Sequence, residues 1–189
     1  MYFLYGNYFK VFYKDERLAV LIDGPHFMSA ASALGMDIDY KLLRDEFAKR
    51  GKLLRISLYH PVREHNELMP IRPLLDWLQY NGFNVVTKPI REFTDEAGVT
   101  RRKGNLDVEI AVDALMIAQK VDHIILMAGS GDLSHLLQNL RTKGVRVSVI
   151  STLRGPASMV SDNLRRSADN FIELASLADR IRKPGPVVL

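Results

Sequence analysis

Apolar positions along this chain fall into two kinds of run that take turns. Leu18-Ala-Val-Leu-Ile22 is a short continuous block, the pattern of a strand buried on both faces. After Asp23-Gly24 the spacing changes. Phe27, Ala30, Ala31 and Leu34 recur at helical intervals until Gly35. Asp39 is placed to cap a second helix with Leu42, Leu43 and Phe47 as its apolar stripe. A helix–glycine–strand junction then recurs. Gly51 precedes a strand at 53–58, Gly82 one at 85–86 and Gly144 one at 145–150, as expected if glycine closes each helix in the left-handed conformation. The spacing predicts helices over 71–81, 106–120 and 133–143, and a further strand over 123–127. The charged stretch 91–105, with Gly98 and Gly104, reads as a loop.

Strands alternating with helices imply right-handed crossovers. The expected fold class is α/β: a three-layer αβα sandwich with a mainly parallel central sheet. One domain is expected over 16–178, with an aromatic N-terminal extension at 1–15 and a tail at 179–189.

In such sheets, sites form outside the carboxyl ends of the strands. Four aspartates are placed to reach that edge: Asp23, Asp107, Asp113 and Asp132. Each has an ordinary explanation beside the functional one. Asp23 suits a helix N-cap, and Asp107 and Asp132 suit the first turn of a helix, where the dipole favours an acid. Asp107 and Asp113 lie six residues apart, about 120° around a helix, so they do not share a narrow face. Asp113 sits within Ile110-Ala-Val-Asp-Ala-Leu-Met-Ile117, where a carboxylate is costly unless paired or metal-bound. Carboxylates that converge repel one another, and a hard divalent cation, Mg²⁺ or Mn²⁺, is the usual remedy. That pattern points to metal-dependent phosphodiester chemistry.

Gly129-Ser130-Gly131 offers backbone N–H groups to a phosphate, but Ser134 occupies the third glycine position of a dinucleotide fingerprint. No GxxxxGK[ST] run occurs. Among the five histidines, only His26, three residues after Asp23, is expected at the site edge. Lys88, Arg91, Arg101, Arg102, Lys103 and Arg154 cluster near the same edge. They read either as a solvated face or as contacts to a nucleic-acid backbone.

Composition narrows the picture modestly. The 189 residues carry a net charge of +4 and no cysteine, which removes thiolate metal sites and cysteine nucleophiles and is compatible with a cytoplasmic setting. No apolar run approaches the roughly 18 residues of a membrane span, so no membrane partner is expected. The start, MYFLYGNYFKVFY, lacks the basic leader and unbroken apolar core of a signal peptide. It reads as a segment packing on the domain or on a partner subunit in a homodimer, as a weak membrane-surface anchor, or as a start assigned too early.

Leu21-Ile-Asp-Gly24, the 103–113 segment, the Gly-x-Gly-Asp132 loop and the closing 168–174 segment together resemble the NYN domain, in particular bacterial LabA-like (DUF88) proteins. The likeness extends through 71–82 and 86–89 and covers roughly 16–178, in order. It implies a PIN-like fold and a Mg²⁺- or Mn²⁺-dependent ribonuclease acting on RNA. It further implies that Asp23, Asp107, Asp113 and Asp132 are metal-site acids and that Asp169 is a closing acid near the site. Two positions depart from the family pattern. Ser130 stands where the family has an acid, and His26 where it has asparagine. Loss of a carboxylate weakens a hard-cation site. A second expectation therefore stands beside the first, a catalytically impaired RNA-binding or regulatory module. A phosphatase on small substrates is a third.

Overall fold

The computed structural model describes residues 11–63, 70–94, 100–103, 105–155 and 159–184; side chains at 63, 90–94 and 100–103 lie outside that set. Seven strands form one sheet: β1 (Arg17–Asp23), β2 (Lys52–Arg63), β3 (Asn84–Thr94), β4 (Thr100–Lys103), β5 (His123–Met127), β6 (Arg146–Ser151) and β7 (Asn170–Glu173). Their order is β4-β3-β2-β1-β5-β6-β7, with only β4 antiparallel to its neighbour. The chain therefore starts in the middle, steps outward to one side, and returns to fill the other. The crevice at such a reversal of direction lies at the carboxyl end of β1.

The helices are α1 (Gly24–Ala33), α2 (Tyr40–Ala48), α3 (Arg72–Tyr80), α4 (Asp107–Ile117), α5 (Ser134–Thr142), α6 (Asp162–Ser167) and α7 (Ala178–Ile181). One apolar core joins alternate residues Leu18, Val20 and Ile22 of β1 to α1, α2, α3 and α7. The other joins Ala19 and Leu21 to α4, α5 and α6. The strand period of two sends successive β1 side chains to opposite cores, which is why the block is apolar throughout. The expected αβα sandwich is thus the observed one.

Local signals are honoured where they are strongest. The Asp39 carboxylate accepts from the Leu42 N–H at 3.0 Å and caps α2. Gly82 and Gly144 take φ of 84° and 77° just past α3 and α5. Gly51 is different: its φ is not positive, and a Cβ there would lie 2.8 Å from the Glu16 carbonyl, so close packing, not a left-handed turn, requires it.

The expected loop at 91–105 is corrected. Arg91–Thr94 and Thr100–Lys103 pair antiparallel, from Arg91↔Lys103 to Thr94↔Thr100. These residues are polar on both faces, so no alternation marks them; the strand is created by pairing. β2 and β3 likewise run further than their apolar segments. Their ladder reaches Arg63↔Ile90, beyond the level of Asp23, which pairs with Tyr59. The β2–β3–β4 extension therefore rises past the carboxyl edge of β1.

Of the aromatic leader, residues 1–10 lie outside the described set. Phe12 and Tyr13 pack on the domain itself: Phe12 is buried against Phe47 and His123, and the Arg146 guanidinium lies 4.7 Å from the Tyr13 ring centroid. Among the described residues, no helix is long and apolar enough to cross a membrane.

Candidate active site

Asp23 ends the central strand β1 and caps α1, accepting from the His26 N–H at 3.3 Å. The ordinary reading and the functional one thus fall on one carboxylate. A single long N–H bond leaves much of its charge unanswered. Burial pushes the carboxyl up to about 6; the His26 bond works against this and the charge of Asp107 adds to it.

Asp107 opens α4, and its Oδ2 is held from two sides. It accepts from Asn105 Nδ2 at 2.9 Å and from the Ser130 hydroxyl at 2.8 Å. Burial raises its carboxyl above the usual range, the Ser130 bond opposes this, and Asp132 and Glu109 reinforce it. Ser130 also accepts from the Asp132 N–H at 3.3 Å, capping the 3-10 turn Gly131–Leu133. The end of β1, the start of α4 and the loop after β5 therefore meet. Asp23, Asp107 and Asp132 form one electrostatically coupled row, in which Asp132 is exposed.

Asp113 has a separate environment. It accepts a 2.9 Å bond from the hydroxyl of Tyr59, a fully buried side chain on β2. Burial, followed by Asp113, drives the Tyr59 phenol above its usual range. The cost of a carboxylate in an apolar helix is met here by a tyrosine. Near the start of the same helix, Glu109 pairs with Lys88 of β3 at 2.8 Å, and Lys88 also donates to the Asn105 carbonyl at 3.3 Å. Lys88, expected as a phosphate contact, ties α4 to the sheet.

His26 packs inward. Its Nε2 lies 2.9 Å from the Ser151 hydroxyl at the end of β6, and burial lowers its pKa to about 4, so the ring is neutral at pH near 7. A Cβ on Gly129 would lie 2.3 Å from His26 Cε1 and 2.1 Å from the Met159 carbonyl, so the loop that carries Ser130 closes over the ring only because residue 129 is glycine.

Asp169 is a correction. It accepts from the Val147 N–H at 2.8 Å and pairs with Arg141 at 3.1 Å. Val147 is the second residue of β6, so Asp169 lies at the amino edge of the sheet, opposite the site. Parallel β7 begins at Asn170, and the residue just before a strand cannot reach the edge where that strand ends. Arg154 is exposed just past β6, on the site side. Arg91, Arg101, Arg102 and Lys103 belong to the β3–β4 hairpin, and their side chains lie outside the described set.

Asp23, Asp107, Ser130 and Asp132 are all oxygen donors, the chemistry a hard divalent cation selects. Among the described residues, no Lys or Arg side chain pairs with Asp23 or Asp107, and no three His, Asp or Glu side chains are gathered closely enough to hold an ion. The donor chemistry fits such a cation, and the carboxylates that would hold it are two, Asp23 and Asp107, with Ser130 and Asp132 beside them.

The NYN domain model matches residues 17–176. The chain belongs to the NYN domain family. Its relatives span the same unit. Low amplitude and bright protein LabA from Synechococcus elongatus is 29% identical over 181 residues, covering 93% of this chain and 95% of that protein. A crystal structure of VPA0982 from Vibrio parahaemolyticus, a protein of unknown function, superposes with a TM-score of 0.68 at 26% identity, covering 85% of this chain and 93% of that one. The NYN family is related to the PIN-like nucleases, so the carboxyl-edge row of aspartates lies where chemistry is expected in this fold.

Within this NYN domain, Tyr59, Asn105 and Ser151 were not singled out from sequence. Asn105 carries a weak signal, because an asparagine two residues before a helix acid is placed to bond it. Tyr59 and Ser151 carry none, because their partners lie 54 and 125 residues away.

Proposed function

We propose that this NYN domain is a metal-dependent ribonuclease that hydrolyses internal phosphodiester bonds of RNA. The observation that carries the reading is the pair of burial-raised carboxyls, Asp23 and Asp107, which face each other at the carboxyl edge without a cationic partner among the described residues. A fold keeps such a pair at a cost in stability, and perturbed carboxyls at a sheet edge mark functional sites.

Asp23 and Asp107 would hold Mg²⁺ or Mn²⁺, with Asp132 at the rim. When bound, such an ion lowers the pKa of a water and offsets charge developing on the phosphate. Asn105 and Ser130 fix one oxygen of Asp107 and leave the other to face the site. Neutral His26 and Ser151 form the floor under Asp23. Arg101, Arg102, Lys103 and Arg154 would contact the RNA backbone, and Lys88 would do so by exchanging its bond to Glu109 for a phosphate. Asp113 then supports α4 through Tyr59.

The test is cleavage of a fluorescent single-stranded RNA in Mn²⁺, Mg²⁺ or EDTA, with Asp23→Asn alongside. Cleavage that needs the metal and disappears in the folded mutant is expected. Undiminished cleavage by folded Asp23→Asn, or by wild type in EDTA, overturns the assignment.

A second reading is favoured by one observation, the Ser130 hydroxyl bound to Asp107 where relatives place an acid. In it the chain binds RNA, with a steep salt dependence, but does not turn it over. Ser130→Asp separates the two: a large gain of cleavage over a silent wild type identifies the impaired module.

A further inference from the structure

Helix α4 is apolar on both sides, although only one side has a neighbour. Ile110 and Ala114 face the core and are fully buried. On the opposite side Val108, Val112, Leu115 and Met116 are 65%, 50%, 38% and 70% exposed. Their spacing of i, i+4, i+7 and i+8 makes one continuous stripe. A helix without a polar face is ordinarily buried all round. This one belongs to the same element that supplies Asp107 and Asp113, and nothing in the single chain covers it.

We propose that the stripe is the seam of a homodimer, in which α4 packs antiparallel against α4 of a second copy across a two-fold axis at Val112. The inference is independent of the reaction assigned above. Three features select a second copy over another occupant. The stripe is centred on Val112, with Val108 four residues before it and Met116 four after. An antiparallel pair in register at Val112 therefore sets Val108 against Met116 of the second copy, small against long, at both ends. A two-fold interface needs this self-complementarity. The charges also match: the acidic first turn, with Asp107 and Glu109, comes alongside the carboxyl end of the other helix and its following residue Lys120, which is exposed. Antiparallel helix dipoles favour the same pairing. The stripe itself carries no charge, so nucleic acid or a charged peptide finds no ionic partner there. It forms the apolar centre of an interface that must reach about 800 Å² per partner, with the polar flanks of α4 as its rim.

The chain has no cysteine, which makes the test direct. Packed helices 8–10 Å apart place facing Cα atoms roughly 3.5–5.5 Å from each other, overlapping the range of about 4.4–6.8 Å that a disulfide accepts. Full-length Val112→Cys is therefore expected to form a disulfide dimer rapidly under mild oxidation. Val108→Cys, which faces Met116 of the second copy, should do so slowly. Sedimentation of the unmodified chain should show a concentration-dependent dimer that Val112→Glu converts to monomer without loss of circular dichroism. A wild type that stays monomeric overturns the proposal. So does a dimer that survives Val112→Glu, or a Val108→Cys chain that crosslinks as fast as Val112→Cys. If Val112→Glu does not fold, the relative crosslinking of the two cysteine variants still decides.

Discussion

Replacing Asp23 by asparagine should stabilise the metal-free protein while removing its activity. Burial raises the Asp23 carboxyl from 3.8 to about 6, so the ionised group weakens the fold at neutral pH. The sign follows from which state holds the proton longer. Below about pH 4 the carboxyl is protonated in both folded and unfolded chains, and the substitution changes little. Between about 4 and 6 the unfolded chain ionises first, and the wild type loses stability relative to the mutant; above about 6 the difference is constant. A shift of about two units, at about 1.4 kcal/mol each, corresponds to a gain on the order of 2–3 kcal/mol. For a chain of 189 residues that is roughly 5–10 °C in melting temperature. Asparagine can still accept the His26 N–H, so the cap on α1 survives. His26 and His123, whose pKa values burial lowers to about 4 and about 3, tilt the profile the opposite way over part of this range, but in both proteins alike. The quantity to measure is therefore the mutant-minus-wild-type difference in melting temperature in EDTA, across pH 4 to 8. Added Mn²⁺ should narrow the gap by stabilising only the wild type. A mutant that melts no higher at neutral pH, or a difference that does not grow with pH, refutes the reasoning.

Two further expectations separate support from chemistry. Tyr59→Phe removes the described hydrogen-bond partner of Asp113 and should cost about 1–2 kcal/mol in a urea melt while leaving RNA cleavage within a few-fold of wild type; a severe loss of cleavage at unchanged stability would place Asp113 in the reaction. Asp169→Ala strands the buried Val147 N–H at the far edge of the sheet and should cost roughly 1–3 kcal/mol with cleavage retained; lost cleavage in the folded protein would return Asp169 to the site.

The residues differ in how far they could be read without coordinates. Asp23 was legible because it follows a continuous apolar block and precedes a helix, and those two facts alone place it at a strand's carboxyl end. Asp107 and Asp132 were legible as helix-start acids after strands or loops, and the topology brought both to Asp23. Asp113 was legible only as a buried acid in need of a partner. That the partner is Tyr59 depends on β2 lying beside β1, which no local pattern states. Asp169 was misplaced because an acid beside a strand signals nearness to an edge but not which edge. Arg91–Thr94 and Thr100–Lys103 were misread as loop because an edge hairpin of polar residues has no apolar period to detect.

By itself, the sequence determined what depends on neighbours along the chain: the alternation of strand and helix, the caps at Asp23 and Asp39, the glycine closures after α3 and α5, and the parallel sandwich that follows from them. Those features rest on φ/ψ preference and on burial period, and both act over a few residues. Only the tertiary structure decided which carboxylates share a field, that Ser130 binds Asp107 in place of an acid, that Lys88 is engaged by Glu109, and that one side of α4 stays open. Each of these is a contact between segments far apart in the chain, set by strand order and register, and the energy of such a contact appears only when the segments meet.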